Sequence, residues 1–117
     1  MNAILDQLKA LSDRNRLRIV AALLHANELC ACQISEMLGV SGATASRHMG
    51  LLIRADLVAS RKEGRWVFYK LSPTFPAHVR EWLASPLSKD PEIKKDQSRV
   101  KKITGCNECD PTGPDLL

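Results

Sequence analysis

The chain has 117 residues, with 17 Lys and Arg against 13 Asp and Glu, for a formal net charge of +4. That length suits one ordinary domain, and a core this small gains from pairing with a second copy. No apolar run approaches the ~20 residues of a membrane span, and Met1 to Lys9, with Asp6 among them, lacks the basic start and apolar stretch of a secretory signal, so a cytoplasmic chain with reduced cysteines and no membrane partner is expected.

Residues 2–10 place Ile4, Leu5 and Leu8 on one side of a first helix. Ser12 or Asp13 caps a second, which reaches about Leu24 and turns Leu17, Val20, Ala21 and Leu24 to the core. Arg14, Arg16 and Arg18 at its start read as a solvated face with room for one phosphate contact. A third helix starts near Leu29–Cys32 and ends at Gly39, a residue type that suits a left-handed C-terminal position. Its apolar face is Ile34, Met37 and Leu38. Ser41 caps a fourth helix, Gly42 to about Ala55, with Met49, Leu52 and Ile53 inward. Two short helices joined by a tight turn containing Gly form a helix-turn-helix.

Leu57 to Lys62 and Trp66 to Leu71 read as strands around Glu63-Gly64-Arg65, a basic hairpin or wing. Pro73 and Pro76 precede a fifth helix bearing Val79, Trp82 and Leu83, and Pro86 and Pro91 interrupt the region after it. Residues 92–103 form a short polar helix, and beyond Thr104 a flexible tail is expected. The predicted fold is therefore mainly α with a small β-hairpin, a winged helix-turn-helix. Residues 1–85 make the winged helix-turn-helix domain, and 86–117 a C-terminal extension with a Cys-containing tail.

Charge singles out one stretch. Residues 41–70 carry six basic groups (Arg47, Arg54, Arg61, Lys62, Arg65, Lys70) and two acidic ones (Asp56, Glu63), while the segments on either side balance. The whole excess thus sits on the fourth helix and the wing, the footprint of a surface made for phosphate backbones. Small residues let the fourth helix enter a major groove about 12 Å wide. The expected DNA contacts are Ser41, Thr44, Ser46, Arg47 and His48 from this helix, with Arg61, Lys62 and Arg65 from the wing. Packing competes with phosphate contact as the role of His48.

On these residues the chain resembles the ArsR (ArsR/SmtB) family of winged-helix repressors. The matching segments are Leu11 to Ile19, Glu28-Leu29-Cys30-Ala31-Cys32-Gln33-Ile34, Ser46-Arg47-His48-Met49 and Arg61 to Tyr69, in unbroken order over roughly residues 3–85. The resemblance implies a homodimer joined through the first and fifth helices, bound to an inverted-repeat operator without its inducer and released with it. Gly42 departs from the polar residue common in the family.

Cys30-Ala31-Cys32 resembles the arsenic-binding segment of arsenic-responsive members, which often carry a third cysteine where this chain has Ser35. Trivalent arsenic and antimony take three bonds and favour thiolates. Residues two apart on a helix diverge by about 200°, so binding is expected to unwind residues 29–33. Cys106 and Cys109, a CxxC spacing suited to soft ions, form the other pair. One of them completes the site, or the two form a separate site, or they have no ligand role. Methylarsenite, with one carbon already on arsenic, needs only Cys30 and Cys32. The inducer is thus As(III), Sb(III) or methylarsenite, with no cofactor needed for DNA binding. A cadmium, lead or zinc response and a thiol-redox response are the alternatives. His78 and Glu81 on the fifth helix lack the partner residues of the interhelical zinc site of some relatives. A CxxC outside any βαβ setting does not make a thiol oxidoreductase, so no enzyme is expected.

Overall fold

Asp13 and Ser41 set the frame, because each sits in extended backbone and turns its side chain onto the first orphan amides of a helix. In the computed structural model, which describes residues 2–106 and side chains only to Lys102, Asp13 accepts from Arg16 N–H at 3.1 Å and Ser41 Oγ from Thr44 N–H at 3.1 Å. The helices are α1 (Asn2–Leu11), α2 (Arg14–Ala26), α3 (Ala31–Leu38), α4 (Gly42–Arg54), α5 (Ala77–Lys89) and α6 (Pro91–Cys106), and the strands β1 (Glu28–Cys30), β2 (Val58–Glu63) and β3 (Trp66–Leu71). None of the described helices is long and apolar enough to cross a membrane.

α2 is the spine, with Ile19, Val20 and Leu23 buried and every other helix packed against it. Ile34, Met37, Met49 and Leu52 close the core between α3 and α4. Gly39 takes φ +70 at the end of α3 and gives its N–H to Ser35 and Glu36 carbonyls, which ends the helix and aims the chain into α4. The helix-turn-helix is as expected. Ile53 is not inward but exposed, as is Trp82 on α5.

The wing gains a strand that periodicity did not show. β1 pairs antiparallel with β3, placing Cys30 opposite Phe68, and β3 pairs with β2, placing Phe68 opposite Arg61, in the order β1-β3-β2. Three residues carry too little alternation to announce a strand. Gly64, at φ +62, opens the two-residue turn between β2 and β3, a value glycine adopts without steric cost.

The C-terminal region also differs from expectation. α5 runs straight through Pro86, whose missing N–H removes one helical hydrogen bond. Pro91 is the first residue of α6 and does not break it, because Asp90 caps the helix with bonds to Glu92 and Ile93 amides at 2.8 and 3.4 Å. α6 is 16 residues long and packs on α2, α3 and α5 through buried Ile93, Asp96 and Val100. The tail expected to be flexible, with Cys109, lies outside the described residues, and so does the side chain of Cys106.

Of the three arginines at the start of α2, Arg14 is solvated as expected, but Arg16 and Arg18 are not. Arg18 forks onto both Asp96 carboxylate oxygens at 2.8 Å and reaches the Met37 carbonyl at 3.3 Å, with 11% and 3% of the two side chains exposed. Arg99 donates to the same carbonyl at 3.1 Å. Arg16 donates to the Ala10 carbonyl at 2.7 Å and ties α1 to the spine, while Arg14 meets Glu92 at the surface. Removing one partner from a buried pair strands the other charge. Asp96→Asn should cost about 3 kcal/mol of stability by urea denaturation, and an Arg18→Met/Asp96→Leu double variant should recover most of it. An Asp96→Asn midpoint equal to wild type would show that the pair is solvated.

Candidate functional site

The face proposed for DNA is built on the exposed side of α4. Ala45, Met49 and Leu52 point inward, so Ser46 and Arg47 point out, and Thr44 is half-buried beside Ser41 with their hydroxyls 3.1 Å apart. A Cβ built on Gly42 meets nothing within 4 Å, so packing does not dictate glycine there. Ser41, Thr44, Ser46 and Arg47 thus lie together on the first two turns of one helix. His48 is set apart from them. Its side chain is only 13% exposed, with Nδ1 3.3 Å from Arg16 Nη1 and 3.9 Å from Asp13 Oδ2, so it joins α4 to the start of α2.

The wing divides in a similar way. Lys62 and Arg65 are exposed near the turn. Arg61 is committed within the protein. Its Nε and Nη2 take both Glu28 oxygens at 2.9 and 2.8 Å, Nη1 takes Glu63 at 2.8 Å, and the guanidinium stacks 4.4 Å from the centre of the Phe68 ring. Arg61 holds the Glu28 carboxyl below the usual carboxylate range. Composition marked Arg61 as one more wing cation. Its partner Glu28 lies 33 residues away, and only the unforeseen strand β1 brings the two together.

The second cluster is the sulfur pair. Cys30 is at once the last residue of β1 and the N-cap of α3, with φ −84 and ψ 163, and Cys32 is the second residue of the helix. This corrects the expectation that both cysteines are helical and must diverge. An extended cap residue folds its side chain back over the first turn, as Ser and Asp caps do. The two Sγ atoms lie 3.2 Å apart, far longer than the roughly 2.05 Å of a disulfide, in an unbroken α3. The geometric reason to expect unwinding of residues 29–33 is therefore gone.

Gln33 fixes the cap by accepting from Cys30 N–H through Oε1 at 2.8 Å. Cys30 is only 1% exposed, and burial pushes its thiol up, an effect partly offset by amides at the start of α3 that face the sulfur. Ser35 gives its hydroxyl to the Cys32 carbonyl at 3.1 Å. Among the described residues, no three His, Cys, Asp or Glu side chains gather as a metal cage. His78 and Glu81 are exposed on α5.

Comparison with known proteins agrees with this architecture. The family described as "Bacterial regulatory protein, arsR family" matches residues 13–60. The arsenical resistance operon repressor of Escherichia coli is 39% identical over 95 residues, spanning 81% of this chain and 76% of that protein. The cadmium resistance transcriptional regulatory protein CadC of Listeria innocua is 48% identical over 61 residues, 52% of this chain and 51% of that protein. Among solved structures, a homodimeric winged helix-turn-helix DNA-binding domain from Mycobacterium bovis superposes with a TM-score of 0.62 at 26% identity, over 71% of this chain and 73% of that one.

Arg47 is the exposed arginine on the first two turns of α4. Arg47→Ala should weaken operator binding by about 1–3 kcal/mol if it reads a base. Titrations on operator and unrelated DNA check this, since an equal loss on both would give it a phosphate role.

Proposed function

Because the chain belongs to the ArsR family of bacterial regulatory proteins, we propose that it is a transcriptional repressor that holds an inverted-repeat operator as a homodimer and releases it when trivalent arsenic or antimony bonds to Cys30 and Cys32. Ser41, Thr44, Ser46 and Arg47 enter the groove and Lys62 and Arg65 meet the backbone. Ile4, Leu5 and Leu8 of α1 and Trp82 of α5, the last 67% exposed, are large apolar side chains without cover in one chain. A second copy supplies that cover, in keeping with the homodimeric structural relative.

The observation that carries the arsenic reading is the close sulfur pair, with Cys30 buried, its thiol raised, and Cys32 half-buried beside it. Arsenous acid is neutral. Each As–S bond it forms releases one water made from an arsenic hydroxyl and a thiol proton, so two bonds create no net charge and release no proton. A divalent cation must expel each thiol proton to solvent, which burial of Cys30 makes harder. Two sulfurs leave one arsenic valence to a hydroxyl, to the methyl of methylarsenite, or to Cys106 or Cys109.

Cadmium is the second reading, favoured by the identity to the cadmium resistance regulator. Protons separate the two. Arsenite affinity of the reduced protein should stay flat between about pH 6 and pH 8, a range below the ordinary thiol pKa of about 8.5. Cadmium affinity should rise toward tenfold per pH unit for each proton displaced, because burial raises the Cys30 thiol further above that range. Operator release that cadmium triggers and arsenite does not would overturn the arsenic reading. Cys30→Ser and Cys32→Ser should each abolish release by arsenite and keep operator affinity within a few-fold, read by fluorescence anisotropy. A Cys109→Ser protein deaf to arsenite but responsive to methylarsenite would identify Cys109 as the third ligand.

A further inference from the structure

Leu29 and Tyr69 face the core, so the alternate residues Glu28, Cys30, Phe68 and Arg61 share the opposite face of the three-stranded sheet. Cys30, Phe68 and Arg61 form one row across β1, β3 and β2. Glu28, two residues before Cys30, reaches diagonally over β3 to grip Arg61 with both oxygens, and the Arg61 guanidinium lies over the Phe68 ring, its central carbon 4.4 Å from the ring centre. The strand that ends in the sulfur site thus has its own hold on the outer strand of the wing.

We propose that Arg61 is a positioning residue and not a DNA contact, and that the Glu28–Arg61 fork is the link through which the wing reads the state of Cys30 and Cys32. This rests on the arsenical-release reading above. A ligand that draws the Cys30 sulfur into bonds shifts the end of β1 against β3. Glu28 moves with β1, and Arg61 carries the shift across Phe68 to β2, which changes how Lys62 and Arg65 present to the backbone relative to α4. No helix unwinds. Glu63 and Phe68 hold Arg61 from its other sides, so the guanidinium answers to β1 as a fixed part of the hairpin. Arginine suits this task because its planar fork and face act together, which a lysine ammonium cannot reproduce.

The test uses full-length reduced protein, phenylarsine oxide as a probe that needs two sulfurs, and three readings: probe affinity, operator affinity, and the factor by which saturating probe weakens operator binding. Glu28→Gln and Arg61→Lys should each leave the first two within about three-fold and reduce the third at least tenfold. Because both changes cut the same link, the double variant should lose no more coupling than either single one. If Glu28→Gln does not fold, Arg61→Lys carries the same comparison. Coupling retained in either variant, coupling losses that multiply in the double variant, or loss of probe binding itself would overturn the link. Wild-type operator binding indifferent to the probe would overturn the arsenical-release reading and the link with it, whereas a wild-type response that both variants keep overturns the link alone.

Discussion

Cys30 is bound by three demands at once. It must be extended to pair with Phe68 at the end of β1, it must be extended to cap α3, and its sulfur must turn back over the first turn of that helix. One pair of backbone angles meets all three. The cap conformation brings two sulfurs separated by a single residue to within 3.2 Å, a separation that a continuous helix would not allow. The strand pairing joins the same residue to the wing. The first helix of the helix-turn-helix therefore starts at the point where sheet and sulfur pair meet, so the helix-turn-helix and the wing share one residue.

Polar fasteners on α2 hold the rest in place. Arg16 joins the end of α1 to His48 of α4, and Arg18 joins Asp96 of α6 to the last turn of α3. Met37 contributes a side chain to the core and a carbonyl to two arginines. Long side chains that cross between helices fix orientation more sharply than apolar contact, because a forked hydrogen bond tolerates little rotation. The turn between α3 and α4 is thus braced from the side opposite β1.

Much of this was legible in the sequence. Helical periodicity and the Ser41 and Gly39 signals gave α3 and α4 nearly to the residue, and valines and aromatics gave β2 and β3. What stayed hidden had physical causes. β1 is three residues long, and its pairing partner lies 38 to 42 residues on. Asp96 looked like one more charge in a polar helix, although it sits three residues after Ile93 and four before Val100, on the side that both of them bury. An acid inside an apolar stripe was the available sign of a buried partner. Arg18 and Arg61 could not be told from solvated cations, because their partners come from distant segments. Placing both cysteines on a helix failed at the boundary, where a shift of one residue turns divergent side chains into convergent ones.

Gly42 has a consequence of another kind. Its position at the start of α4 is exposed and open on the side where a Cβ would sit. A Cβ there meets nothing, so replacing it disturbs no packing. Most natural changes are limited by the small reserve of folding stability that a protein carries. In the repressor proposed above, a site on the exposed start of α4 that leaves the core alone escapes that limit. Single substitutions at position 42 are therefore a route by which operator preference can change while Cys30, Cys32 and the packed core stay as they are.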